Sequence, residues 1–282
     1  MKQKRKEALW GLAFILPSLA GITIFYIIPY GICFVKSLYI GEQFVGLANY
    51  AELFTNKAFI LAMKNTGIFT VTALPLLMLV SFMIALFLNS FRRLHVFFRS
   101  SLLIPVVVPV ASLISVWQVL FEDFGAVNFL LDKLGLEAVD FFSSDLSMVM
   151  IVLIYVWKYT GFCVVLFTSG LASVPQSLYE SARLDGANKL QLVTRITVPM
   201  IIPTAFFVFL MEIIYSFKIF REVFALFGDY PHESVYFLQN FINNNYYNMN
   251  YPRLSAASTI LSLLIILILL VFYRLESRHS HT

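Results

Sequence analysis

Six stretches of this chain are apolar for about as long as a helix needs to cross a bilayer, roughly 20 residues. They cover 8–30, 66–88, 101–121, 148–171, 196–217 and 255–273. No other feature restricts the fold so strongly. In hydrocarbon every backbone N–H and C=O must be paired within the protein, so each stretch is predicted to be a helix. Composition agrees, with 60% of residues hydrophobic, 13% charged and a mean hydropathy of +0.82. Soluble domains carry about 25% charged residues. The expected class is therefore an all-α integral membrane protein, with residues 1–282 forming a single transmembrane domain.

The first stretch follows Lys2, Lys4, Arg5 and Lys6, as a signal peptide would. Its apolar run exceeds the 7–15 residues of a signal h-region, which favours a retained span. Basic residues set the orientation. With the N-terminus inside, Lys2, Lys4, Arg5, Lys6, Arg92, Arg93, Arg99, Arg183, Lys189, Arg195, Arg274 and Arg278 are cytoplasmic, 12 of the 20 Lys and Arg. Lys158 lies within a span, and the other seven fall in longer external loops. This is the positive-inside pattern, and it predicts both termini in the cytoplasm. Pro105 and Pro109 interrupt the third stretch. The carbonyls they free need neighbouring helices or water.

The cytoplasmic segment 173–199 carries more pattern than a connector needs. Ser173 can cap a helix and Pro175 suits a first turn. Leu178 and Ala182 are four apart and share a face. Gly186 can stop the helix with a positive φ. A second short helix then leads from Ala187 towards Pro199 and the fifth stretch. Such a helix either lies on lipid or docks a cytoplasmic partner.

Glu180-Ser181-Ala182, then Gly186 three residues on, Ile196 after nine more, and Val198-Pro199 resemble the EAA loop of binding-protein-dependent ABC permeases. Ser181 and Val198 depart from the family's Ala and Leu, with the spacing intact. Phe44-Val45-Gly46-Leu47-Ala48-Asn49-Tyr50, Lys64-Asn65-Thr66 and Phe97-Phe98-Arg99 with Pro105 and Pro109 are similar to motifs of the sugar permeases, and the maltose-type, larger-subunit branch is the nearest match. Asp229-Tyr230-Pro231 stands where that family has Gly-Gly-Pro.

The resemblance implies a type I ABC importer permease fold of six transmembrane helices with a cytoplasmic coupling helix. It implies a multi-pass protein of a prokaryotic plasma membrane. The partners it implies are a second permease subunit in a heterodimer, a cytoplasmic ATPase dimer and an extracytoplasmic solute-binding protein, with a sugar as substrate. Glu180, Ser181, Ala182 and Gly186 would couple to the ATPase. Aligned through the same loop, the sugar-binding positions fall on Tyr155, Tyr159, Glu212, Ser216 and Ile219, while those of the third span fall on the apolar Val106 and Val110. Glycerol-phosphate, an amino acid or a peptide is the alternative cargo for the same machine.

Glu212 and Lys158 are ionisable groups inside spans, which default to function. They either meet solute or pair with each other or with the second permease. Cys33 and Cys163 read as small buried hydrophobes. No Gly-x4-Gly-Lys-[Ser/Thr] occurs, so ATP would be bound by a partner and no cofactor is expected here. His95, His232, His279 and His281 are scattered outside the spans, with no catalytic or metal cluster. An enzyme is therefore not expected, and nucleic acid is not among the expected partners.

Overall fold

The computed structural model describes residues 2–90 and 92–279, with side chains at 10–11, 14–89 and 100–274. The side chains of Lys2, Lys4, Arg5, Lys6, Arg92, Arg93, His95, Phe97, Phe98, Arg99, Arg278 and His279, and His281 altogether, lie outside the described residues. The described residues hold six helices long and apolar enough to cross a membrane.

In chain order the elements are α1 (Lys2–Ile22), α2 (Ile28–Lys36), β1 (Tyr39–Ile40), β2 (Gln43–Phe44), α3 (Ala48–Thr55), α4 (Lys57–Ser90), α5 (Arg92–Val107), α6 (Val110–Phe121), α7 (Ala126–Lys133), α8 (Leu146–Ala172), α9 (Gln176–Leu184), α10 (Lys189–Leu192), α11 (Val198–Ser216), α12 (Phe220–Phe227), α13 (Leu238–Tyr247) and α14 (Tyr251–His279). A π turn, Thr23–Ile27, joins α1 to α2, and another, Val193–Thr197, joins α10 to α11. Each ends in an i→i−5 bond, from Ile28 N to Thr23 O and from Val198 N to Val193 O. The next residue in each case is a proline, Pro29 or Pro199. A proline has no N–H and its ring crowds the carbonyl four residues back. The wider turn moves that carbonyl aside, so both helices continue through their prolines.

The expected span limits shift in consequence. The first crossing helix runs to Lys36 and not to residue 30. Around the third stretch, α5 ends at Val107 and α6 starts at Val110, with the break at Val108-Pro109. The long apolar segment counted there runs Val110–Lys133. The fifth extends over Lys189–Phe227, well past the expected 217.

The chain divides into two compact units, one of residues 1–60 with 241–266 and one of 61–240 with 267–282. In the first, the motif around Asn49 explains itself. Gly46 takes φ +58, and buried Asn49 donates its side-chain amide to the carbonyls of Ser37 (2.8 Å) and Tyr39 (3.1 Å). The Tyr50 and Ser37 hydroxyls meet at 2.5 Å. The motif is thus a clamp on the β1–β2 hairpin. Glu52 and Arg253 form an ion pair, and Phe59 packs on Phe241.

The second unit is built around α8, the most enclosed of the crossing helices. Two glycines let its neighbours approach, as small residues do in membrane bundles. A methyl on Gly161 would overlap the Leu102 carbonyl of α5, and one on Gly170 would lie 2.5 Å from the Thr204 hydroxyl of α11. Phe69, Leu74, Leu77, Ile114, Ile151, Ile154, Phe167 and Val208 form the core around it. Asn65 and Thr66, of the second motif, tie down the segment after α12. The Asn65 amide donates to the carbonyls of Glu233 (2.6 Å) and Tyr236 (3.1 Å), and Leu238 N donates to the Thr66 hydroxyl at 2.9 Å.

Candidate functional site

Two places concentrate polar chemistry. The first is α9, between the fourth and fifth crossing helices. Pro175, with φ −60 and ψ 128, is its N-cap. Ser173 does not cap it, contrary to expectation. Its hydroxyl donates back to Gly170 O at 2.7 Å and so closes α8. At the other end Gly186 takes φ +84, as expected. Ala187 N donates to Ala182 O (2.9 Å) and Gly186 N to Arg183 O (3.1 Å), the paired bonds of a Schellman stop. Asn188 then opens α10 with a capping box to Gln191. The chain continues as helix to Ser216.

These caps fix α9 tightly at both ends and set which face looks outward. Tyr179 and Ala182 are half-buried on the inner side, and the Tyr179 hydroxyl meets that of Thr197 at 2.9 Å. Ser177, Glu180, Ser181 and Leu184 share the outer face at helical spacing, and all four are exposed. Leu184 is 89% exposed. Sequence reasoning passed over this leucine, although an apolar residue off the Leu178–Ala182 face was the available signal. An open cleft of about 940 Å³ flanks Tyr179, Glu180 and Arg183. Another, of about 320 Å³, flanks Ala182, Asp185 and Gly186. Among the described residues neither Glu180 nor Arg183 forms an ion pair.

The second place lies midway along α8. Tyr155, Lys158, Tyr159 and Cys163 stand 9 to 17 residues past its first residue, Leu146, about 14–26 Å along the axis. Glu212 of α11 is fully buried against them. Its Oε2 lies 2.8 Å from the Tyr155 hydroxyl, which is also 3.0 Å from the Glu212 carbonyl. Its Oε1 accepts from the Cys163 thiol at 3.2 Å. Cys163 is therefore buried as expected but is also a hydrogen-bond donor. Tyr155→Phe should leave this carboxyl short of a donor and cost about 1–3 kcal/mol, read as a lower melting temperature of the purified protein.

Lys158 and Glu212 do not pair with each other. Lys158 pairs with Glu222 of α12, and both are buried. Glu222 lies beyond the apolar stretch 196–217, which is followed by Lys218 and Arg221, so hydropathy alone puts it outside the spans. The helix in fact breaks at 217–219 and resumes as α12, which packs on α6. Glu212 and Glu222 both contact α8, the first through Tyr155 and Cys163 and the second through Lys158. Ser216 and Ile219 border the break and are buried, the Ser216 hydroxyl donating to Ile213 O at 2.8 Å.

Of the five expected solute-path residues, Tyr155, Glu212, Ser216 and Ile219 are enclosed, and Tyr159 is half-buried. Tyr159 stacks on Tyr215, 5.3 Å between centroids and 19° between planes, and lies 4.8 Å from Tyr155. Lys218 sits over the outer tyrosine at 5.4 Å. Val106 and Val110 flank the α5–α6 break, half-buried and apolar. Sequence reasoning missed Tyr215, whose i−3 spacing from Lys218 and contact with α8 show only once the break is seen.

Residues 77–280 match the family described as "Binding-protein-dependent transport system inner membrane component". The chain is 29% identical to the trehalose/maltose transport system permease protein MalF of Thermococcus litoralis, over 96% of this chain and 95% of that one. It is 27% identical to the sn-glycerol-3-phosphate transport system permease protein UgpA of Yersinia pestis, over 94% and 92%. A chain in the crystal structure of a bacterial alginate ABC transporter, in complex with an alginate pentasaccharide-bound periplasmic protein, superposes with a TM-score of 0.86. Its identity is 23%, over 99% of this chain and 97% of that one, so it matches in fold.

Proposed function

The chain belongs to the binding-protein-dependent transport family as a membrane-embedded permease subunit of an ABC importer, not an enzyme, and from that premise we propose that it forms half of a saccharide path driven through α9. The observation that carries the coupling reading is the outer face of α9. Glu180, Ser181 and Leu184 are exposed on a helix that is pinned at both ends and flanked by open clefts. A groove on a cytoplasmic ATPase takes Leu184 as its apolar anchor and meets Glu180 with a cation. Ala182 sets the height of the helix through its half-buried side, and Gly186 supplies the turn that only a positive φ allows.

ATP is bound by that partner, as a dimer. A second permease completes the path, an extracytoplasmic binding protein delivers solute, and both termini face the cytoplasm. Closure of the ATPases moves α9, and the helical run Lys189–Ser216 carries the displacement to the break at 217–219. Rocking of this kind about a mid-membrane site is how such transporters alternate access.

The saccharide reading is supported by near full-length similarity to a trehalose/maltose permease and by Tyr159 and Tyr215, half-buried residues whose hydroxyls suit those of a sugar. Tyr155, Glu212, Ser216 and Ile219 form the wall that positions these two tyrosines. Glycerol-phosphate, an amino acid or a peptide is the less favoured cargo.

The complex with its ATPase, second permease and binding protein tests the coupling. Glu180→Lys should cut binding-protein-stimulated ATP hydrolysis at least tenfold, since a like charge facing the partner's cation removes a contact of about 1.5–3 kcal/mol. Gly186→Trp should do the same by straining the positive-φ stop. Full stimulation in both variants would return α9 to a lipid-lying helix.

A further inference from the structure

Residues 228–237 join α12 to α13, and two adjacent residues of α4 fasten them. Gly228 leaves α12 at φ +73, and the chain makes one short turn, Glu233–Val235, before α13. The Asn65 amide donates to the carbonyls of Glu233 and Tyr236, and the Thr66 hydroxyl accepts from Leu238 N. Val235 and Phe237 are buried, while Glu233 is exposed. Phe69 is one turn past Asn65 on the same face of α4. Its ring lies 5.3 Å from that of Phe237 and 5.2 Å from that of Tyr155, whose hydroxyl donates to Glu212. A run of side-chain contacts thus joins this segment to α11. Leu88, 23 residues after Asn65 (88 − 65) in α4, borders the cleft at α9. Along the helix that separation is about 35 Å, so the fastened segment and α9 lie at opposite ends of α4.

We propose that residues 228–237 form a strap that closes the path at the end away from α9, and that Asn65 and Thr66 are its latch, positioning residues for transport. This rests on the coupling reading of α9 given above. The strap is held differently from the helices around it. Its backbone bonds to two side chains, and the two carbonyls and one N–H freed on release can be met by water. Moving lids are drawn from segments held in this way. A displacement of α11 reaches the strap through Glu212, Tyr155 and Phe69. All three are fully buried, and a close-packed interior transmits a shift instead of absorbing it. Phe69 and Asn65 share a face, so the ring that meets this displacement adjoins the amide that holds the strap. The latch needs a donor at residue 65. A carboxylate of the same shape would set an acceptor against two carbonyls.

The test uses the complex with its ATPase and second permease in nanodiscs, with Val235→Cys as reporter and the parent chain setting the background from Cys33 and Cys163. A bulky polar maleimide should leave Val235→Cys unlabelled without nucleotide. With ATP, vanadate and the binding protein it should label at least tenfold faster. Asn65→Asp and Thr66→Val should each raise nucleotide-free labelling about tenfold, as the loss of one or two hydrogen bonds allows, while Thr66→Ser stays near the parent. Both latch variants should also hydrolyse ATP faster without the binding protein, which loss of a merely structural clamp would not cause. Labelling of Val235→Cys that ignores nucleotide, always fast or always blocked, overturns the strap without recourse to any latch variant. So does nucleotide-free protection in both latch variants equal to that of the parent. Glu180→Lys keeps the two readings apart. Full stimulation of its ATP hydrolysis, with labelling that still follows nucleotide, overturns the α9 reading and leaves the strap. Lost stimulation in that variant, with parent labelling that never depended on nucleotide, overturns the strap alone.

Discussion

Lys158→Met should destabilise the protein by about 3–5 kcal/mol, the usual consequence of leaving a buried charge without its partner. Glu222 is 1% exposed, and its Oε2 already lacks a hydrogen-bond partner among the described residues, so nothing nearby replaces the lysine. Glu222→Leu should be comparably damaging by stranding the ammonium. The double variant Lys158→Met with Glu222→Leu should recover most of the loss, because a buried pair gains little over well-packed apolar groups of similar volume. Thermal unfolding of the purified complex, read for all four members of the cycle, checks this. Additive losses in the double variant would mean that the two residues act separately.

Gly161→Leu should prevent α5 from seating against α8. Even the single methyl of Gly161→Ala meets the Leu102 backbone carbonyl, which cannot rotate away as a side chain can. Overpacking of this sort costs about 1–3 kcal/mol for small insertions. The leucine adds volume where two backbones are already in contact, so the expected result is loss of the assembled complex on gel filtration. Gly67→Ala is the matched control, since nothing lies within 4 Å of a methyl there. On helix propensity it should be neutral or stabilise by up to about 1 kcal/mol.

The crossing helices and the helix α9 were legible because each rests on a local rule. Length and hydropathy give the number of spans, and the Gly186 stop follows from a positive φ that glycine tolerates. The extents were less legible. Pro29 and Pro199 look like helix ends, yet π turns carry both helices past them. Ser173 looks like an N-cap but closes the preceding helix, a choice between two adjacent helix ends that sequence does not decide. Glu222 was misplaced for a deeper reason. Hydropathy treats each charge alone, whereas Lys158 and Glu222 are tolerable in the bundle only together, and they are 64 residues apart. The same long-range pairing hid Cys163 as a donor to Glu212, and Tyr215 as the partner of Tyr159.

The most direct measurement of the central claim is ATP-driven saccharide uptake by proteoliposomes holding this chain with its ATPase and second permease. Accumulation that requires ATP and the loaded binding protein, and that disappears with Glu180→Lys, is the result expected of a permease coupled through α9. Accumulation without ATP or without the binding protein, or equal accumulation by the Glu180→Lys complex, would contradict it.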